Sequence, residues 1–178
     1  PSTGSQSSSA CISCAGGTYN PSVGTATCTN CSAGTYNPST GSQSPLACIS
    51  CGAGTYNPST SSSNCIQCGA GQYQHLQGML TCIACAPGTY VGATGNDQVS
   101  DCIACGLGQY AGNGSSSCTY CAAGQADIDS SAATPCVVCT SGTYAGCGDT
   151  ACTQCTSGNV DADADAATPC TACVPGQT

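Results

Sequence analysis

The side chains here that can do chemistry are cysteines, and they recur as C-x-x-C pairs. The pairs fall at Cys11/Cys14, Cys28/Cys31, Cys48/Cys51, Cys65/Cys68, Cys82/Cys85, Cys102/Cys105, Cys118/Cys121, Cys136/Cys139, Cys152/Cys155 and Cys170/Cys173, and Cys147 is left over. Three chemistries compete for such a pattern. Structural disulfides suit a short, cysteine-dense, loop-rich chain in an oxidising compartment. Zinc is the second reading, because C-x2-C-x13-C-x2-C, as in Cys11 to Cys31, is a tetrathiolate spacing. Thiol redox catalysis is the weakest, since no C-x-x-C opens a helix in a βαβ context. A bond within one C-x-x-C is the reactive geometry, so structural bridges should run between successive pairs. First-to-third and second-to-fourth pairing is favoured, for example Cys48–Cys65 and Cys51–Cys68. A ladder of single loops, such as Cys14–Cys28 and then Cys31–Cys48, stays open. Cys147 has a partner outside this sequence, is a free buried thiol, or forms an intermolecular bridge between subunits.

Few other residues compete. Asp161-Ala-Asp163-Ala-Asp165 opens like a calcium loop, but Ala166 stands where Gly is needed and Ala172 where Glu is needed. A solvated acidic loop is the plainer reading, with Asp161, Asp163 and Asp165 kept as a calcium candidate. His75 is the only histidine, and Glu, Lys and Arg are absent, so the acid/base and oxyanion inventory is nearly empty and no enzyme is expected. No other cofactor is expected. Asn113-Gly-Ser115 is a glycosylation sequon, while Asn30-Cys-Ser32 is a poor one because its middle residue should be bridged. Pro disqualifies Asn20, Asn37 and Asn57. Ser/Thr clusters at 39–40, 59–63 and 115–117 suit O-glycans.

The elements that must hold these cysteines are short. A glycine stands three residues after each pair (Gly17, Gly34, Gly54, Gly71, Gly88, Gly108, Gly124, Gly142, Gly158, Gly176). Its recurrence predicts a backbone position with positive φ, or one packed on a disulfide. Tyr follows two residues later at Tyr19, Tyr36, Tyr56, Tyr73, Tyr90, Tyr110 and Tyr144. It is expected to lie over the neighbouring bridge. Gly-Thr-Tyr and Cys-Ile-Ala-Cys segments can pair as two-residue β-ladders, and Asn-Pro-Ser after Tyr19, Tyr36 and Tyr56 reads as turn chemistry. Two related acidic loops, one after Gln125 and one after Asn159, flank a different loop at 140–147. Alternating loop types imply four-cysteine modules at 11–31, 48–68, 82–105, 118–139 and 152–173. Residues 1–10 then end a preceding repeat and 174–178 begin a following one, as if cut from a longer array.

Composition forbids a conventional core. The chain has 178 residues, 21 of them Cys, with no Phe, no Trp and one Met. Burial at about 25 cal/mol per Å² cannot offset backbone ordering of about 1–2 kcal/mol per residue without large side chains, so cross-links must. With no Lys or Arg and a formal charge of -8, phosphate neutralisation is excluded, and nucleic-acid binding with it. The polybasic route to anionic membranes is closed as well, and no apolar run is long enough to span a bilayer.

The pattern C-x2-C-x2-G-[TQ]-Y…C-x2-C resembles the ephrin-receptor-like cysteine-rich repeats, a branch of the growth-factor-receptor class. Long arrays of this composition are similar to the mastigoneme subunits of algal flagella and to ciliate cysteine-repeat surface antigens. The resemblance implies a small disulfide-rich fold, mostly coil with short β-hairpins, in a tandem array forming an elongated rod, extracellular and often glycosylated. The chain departs from it in lacking basic residues and in having Ala126 and Val160 at the Tyr position. The expected function is a structural segment of an extracellular filament or cell-surface coat glycoprotein, partnered by itself or by other coat subunits. The alternatives are a stalk or ligand-binding ectodomain of a surface antigen or receptor, and a zinc-binding array with four cysteines to each metal.

Overall fold

The computed structural model describes residues 13–22 and 27–173. Its regular structure is a series of two-residue strands joined as antiparallel ladders. These are β1 (Thr18–Tyr19) with β2 (Thr29–Asn30), β3 (Thr35–Tyr36) with β4 (Ile49–Ser50), β5 (Thr55–Tyr56) with β6 (Ile66–Gln67), and β7 (Gln72–Tyr73) with β8 (Ile83–Ala84). They continue as β9 (Thr89–Tyr90) with β10 (Ile103–Ala104), β11 (Gln109–Tyr110) with β12 (Thr119–Tyr120), and β13 (Gln125–Ala126) with β14 (Val137–Val138). The last are β15 (Thr143–Tyr144) with β16 (Thr153–Gln154) and β17 (Asn159–Val160) with β18 (Thr171–Ala172). The Gly-Thr-Tyr segment thus supplies the first strand and the two residues inside the next C-x-x-C supply the second, as expected from sequence. The register places Tyr36 opposite Ile49, Tyr56 opposite Ile66 and Tyr90 opposite Ile103. Single 3-10 turns at Pro45–Ala47 and Val99–Asp101 lead into β4 and β10.

The bridges form the ladder of single loops. They are Cys14–Cys28, Cys31–Cys48, Cys51–Cys65, Cys68–Cys82, Cys85–Cys102, Cys105–Cys118, Cys121–Cys136, Cys139–Cys152 and Cys155–Cys170. The favoured first-to-third pairing, with Cys48–Cys65 and Cys51–Cys68, is therefore incorrect. The physical reason is the strand inside each pair. Two extended residues, at roughly 3.3 Å each, set the two cysteines of a pair at opposite ends of a strand. The first cysteine closes the hairpin that ends there, and the second opens the next. Cys31–Cys48 and Cys68–Cys82 span the intervals between the expected modules 11–31, 48–68 and 82–105, so the structural repeat is one hairpin with one bridge.

Two compact units divide the chain, one of Pro1–Gly69, Tyr73–Ile83 and Thr94–Val99, the other of Ala70–Gln72, Ala84–Ala93 and Ser100–Thr178. Among the described residues no Leu, Ile, Met or Tyr is buried in either unit. In the first, Cys14, Cys31, Cys51 and Cys68 are buried with Asn37, Asn57 and Gln74. In the second, Cys85, Cys121 and Cys139 are buried with Val91, Ala111, Ala126, Asp127 and Ala145. The buried cysteines are all second members of their pairs, although Cys105 and Cys155 are only half-buried, and the first member is half-buried at Cys28, Cys48, Cys65 and Cys82.

Candidate functional site: the seam between repeats

The geometry that recurs from hairpin to hairpin is the seam joining each to the next. It starts at the glycine after each pair, whose φ is positive at Gly34 (82°) and Gly108 (70°). The Gly N–H donates into the next hairpin: Gly17 to the Asn37 carbonyl at 2.7 Å, Gly34 to Asn57 at 2.8 Å, Gly54 to Gln74 at 2.7 Å. In the second unit Gly71 donates to Val91, Gly88 to Ala111 and Gly124 to Ala145. Its carbonyl accepts from the second cysteine of the following pair, as in Cys51 N–H to Gly34 at 2.9 Å. A Cβ on Gly34 would collide with the Gly78 carbonyl, two hairpins on, and one on Gly108 with that of Gly148. The seam therefore reaches beyond the nearest neighbour.

The residue at its centre is the one after Tyr. Asn37 and Asn57 are each 1 % exposed, and Asp127 4 %. The Asn57 amide donates to the Thr35 carbonyl of the preceding hairpin at 2.7 Å, and its oxygen accepts from Ser59 N–H and the Ser62 hydroxyl. Asn37 repeats this, donating to the Thr18 carbonyl and the Ser42 hydroxyl. Gln74 turns into its own loop, donating to Thr81. Asp127 has no proton to give, so it accepts instead, from Gly108 N–H at 3.1 Å and Ser131 N–H at 3.1 Å. Among the described residues no buried side-chain nitrogen or oxygen lacks a partner. Sequence reasoning assigned Asn-Pro-Ser to turns and gave the interface to Tyr. The tyrosines two residues after the glycines are half-buried, and the sealed position is the next residue. A fixed offset of six residues from the second cysteine was the signal available.

The remaining predicted residues are dispersed. Cys11 lies outside the described residues. Cys147 and Cys173 are free and exposed, so Cys147 is not a buried thiol. The second cysteine of a pair bonds forward in this ladder, and Cys173 has no partner among the described residues. Bridged sulfurs are no longer thiolates, so the other described pairs offer zinc no ligands. Asn113 sits exposed in a turn, and Asn30 is exposed on β2 beside Cys31, which is bridged and buried. The three calcium candidates turn to different partners. Asp161 accepts from Gly142 N–H at 3.4 Å, Asp163 from Asp165 N–H and the Thr168 hydroxyl, and Asp165 from Ala167 N–H. No three His, Cys, Asp or Glu groups converge among the described residues. The Asp165 N–H and then the Thr168 hydroxyl hold the Asp163 carboxyl below its ordinary value. The Thr134 hydroxyl and then Ser131 N–H do the same for Asp129. His75 is exposed and stacks on Tyr73.

A family model described as "Tyrosine-protein kinase ephrin type A/B receptor-like" matches residues 2–48 and again 54–102, more than half of the chain. The chain belongs to the ephrin-receptor-like family. No curated protein matches it. The ephrin-receptor-like hairpin continues past the matched segments, since β11 to β18 repeat the ladder, bridge and glycine of the earlier ones. Ephrin-receptor-like repeats with this density of bridges indicate an extracellular, surface-type module, structural rather than catalytic in kind. Among the described residues no helix is long and apolar enough to cross a membrane.

Proposed function

We propose that this chain is a structural repeat segment of an extracellular filament or cell-surface coat glycoprotein, of the mastigoneme kind. The observation that supports this reading is the seam. The N–H of Gly17, Gly34, Gly54, Gly71, Gly88 and Gly124 bonds to a backbone carbonyl of the next hairpin, and that of Gly108 and Gly142 to an aspartate carboxylate there, although the loops between differ. Such an array gains length by repetition, and its stability comes from bridges and from contacts among hairpins one and two repeats apart rather than from a core. The absence of Lys and Arg leaves trypsin-like proteases no site, and the eight carboxylates keep the surface hydrated. Asn113, exposed in its turn, is the glycan acceptor in this reading.

The decisive experiment is the intact mass of native protein before and after reduction and alkylation, followed by electron microscopy. Bridged cysteines, heterogeneous sugar mass and filaments are expected. Free thiols carrying metal and no sugar would overturn the reading in favour of a zinc array. A second reading, a stalk or ligand-binding ectodomain of a surface antigen or receptor, is favoured by one feature: the loop after Tyr73, which differs from the others in holding the only His and the only Met.

A further inference from the structure

The seam between repeats is built from two complementary parts: a left-handed glycine on one hairpin and a loop tip on the hairpin two places on. A Cβ on Gly17 would collide with the Ser61 carbonyl, one on Gly34 with that of Gly78, and one on Gly54 with that of Gly95. The second unit repeats the contact at Gly71 with Gly114 and at Gly108 with Gly148. Each tip is also held by its own N–H to the opening cysteine of the hairpin before it. Ser61 donates to the Cys31 carbonyl, Gly78 to Cys51, Gly95 to Cys68, Gly114 to Cys85 and Gly148 to Cys121. All five of these covered tips are half-buried.

Each part also has a member that nothing covers. Gly158 keeps the left-handed conformation, φ 87°, and its carbonyl accepts from Cys173 N–H at 2.8 Å, as the earlier glycines accept from their cysteines. Among the described residues, however, the Gly158 N–H has no acceptor and nothing lies within 4 Å of a Cβ built there. The space beside Gly142 is likewise empty, but its N–H is taken by Asp161. Gly158 is therefore the glycine with an unused donor. Gly41 is the matching tip: its φ is 69°, and its N–H bonds to the Cys14 carbonyl at 2.7 Å. Unlike the five covered tips it is exposed, and among the described residues a Cβ on it would approach only the Ser13 hydroxyl.

We propose that Gly158 of one copy receives the Gly41 loop of a second copy, extending between chains the seam that joins hairpins within one. The proposal rests on the filament reading above and names its subunit contact. The occupant is specified by five internal examples of the same contact: a tight loop with a left-handed tip, backbone against backbone. The β1–β2 hairpin, which immediately precedes the Gly41 hairpin, would take the adjoining place. It would offer the Gly158 N–H a carbonyl, as the next hairpin offers Asn37 to Gly17. Residues 1–96 contain no Asp or Glu, so the incoming hairpins meet the acidic loop at 161–165 without like-charge repulsion. The two parts differ, so a copy that accepts at Gly158 still offers its own Gly41. Such a heterologous contact continues beyond a dimer, as a filament requires.

The test combines sedimentation velocity of the oxidised chain with amide exchange at Gly158, both across a concentration series. Gly158→Asn is the blocking variant, because Asn tolerates left-handed backbone better than most residues yet places a Cβ where the incoming loop must lie. Gly52→Ala is the control, at a glycine without positive φ whose added Cβ meets nothing within 4 Å. Bridges are first mapped by mass; if Gly158→Asn does not form them, exchange at Gly158 in the unaltered chain decides. Expected is exchange at Gly158 that slows as concentration rises, while Gly54, already bonded to Gln74 within the chain, does not respond. Association should weaken by about tenfold or more in Gly158→Asn and stay unchanged in the control. Because Gly158→Asn still offers its own Gly41 loop, a small proportion of it should cap assemblies of the unaltered chain and lower their mean size. A chain that stays monomeric, exchange at Gly158 that ignores concentration, a control that weakens equally, or a variant that caps nothing overturns the proposal. Filaments formed undiminished by Gly158→Asn would overturn it while leaving the filament reading intact. Bridged, glycosylated protein that forms only short oligomers, lost in Gly158→Asn, would overturn the filament reading and keep the contact.

Discussion

Two residues of the same seam make opposite predictions. Gly34 has φ 82°, and a Cβ there meets the backbone of Gly78 rather than a side chain that could move aside. Gly34→Ala should therefore destabilise by more than the roughly 1–2 kcal/mol that left-handed backbone alone costs an L-residue. Faster amide exchange at Cys51, whose N–H bonds to the Gly34 carbonyl, would report it. Ser61 stands at φ 60° in a loop position where Gly41, Gly78 and Gly95 occupy the equivalent left-handed site. Ser61→Gly relieves that strain and should gain a few tenths up to about 1 kcal/mol in oxidised denaturant melts, the added freedom of the unfolded chain taking back part of it. Asn57→Asp is a different kind of test. It replaces a buried N–H donor with a carboxylate facing the Thr35 carbonyl, at a cost of about 1–3 kcal/mol or more. The carboxylate is tolerated at Asp127 only because Gly108 and Ser131 turn N–H groups toward it. At Asp129 and Asp163 the folded carboxyls sit below 3.8 because hydroxyl and amide hydrogens hold the ionised form. A depressed value means that their loop bonds contribute fully above that pH and are lost as pH falls through the lower folded value. Carboxyl titration by NMR should show both groups protonating below the ordinary value of an aspartate side chain.

At the scale of the hairpin, the bridge and the seam act together. Replacing Cys51 and Cys65 by Ser opens a loop of sequence separation 14, which the chain-entropy model values at about 3 kcal/mol. The Cys51 carbonyl also accepts from Gly78 N–H in the following hairpin. Exchange at Gly78 should therefore accelerate although its own bridge, Cys68–Cys82, is intact; unchanged exchange there would show the hairpins to be independent. Much of this element was legible in advance. The C-x-x-C period, the left-handed glycine and the two-residue ladders follow from residues at fixed offsets, which local geometry alone can interpret. The pairing was not, because equally spaced pairs satisfy either scheme until the strand inside each pair separates its cysteines. The burial of Asn37 and Asn57 was hidden for a similar reason. Asn before Pro-Ser reads as turn chemistry, and the carbonyl that recruits each amide, Thr18 or Thr35, belongs to another hairpin. The acidic run at 161–165 was ambiguous for another reason, since alternation of carboxylates along the sequence says nothing of whether they converge.

Charge divides the whole molecule more sharply than composition does. Every carboxylate but Asp97 belongs to the second unit, and no cation offsets them. Like-charge repulsion therefore opposes folding of the second unit and leaves the first all but untouched. All of these groups except buried Asp127 are at least partly exposed, and such groups are screened over about 10 Å at 0.1 M salt. Raising salt should then slow exchange at Gly124, whose N–H bonds to Ala145, and leave exchange at Gly54, bonded to Gln74, unchanged. An equal response at both amides would mean that salt acts through burial of apolar surface common to both units, and the charge argument would fail. Calcium sharpens the comparison. If it acts only as ionic strength, a matched concentration of a monovalent salt reproduces its effect at Gly124. An excess effect confined to amides around Asp161, Asp163 and Asp165 would require those carboxylates to leave their present partners and converge. Exchange at Gly142 and Ala167 would then rise as their acceptors are withdrawn, the opposite sign to simple screening, so one experiment separates the two.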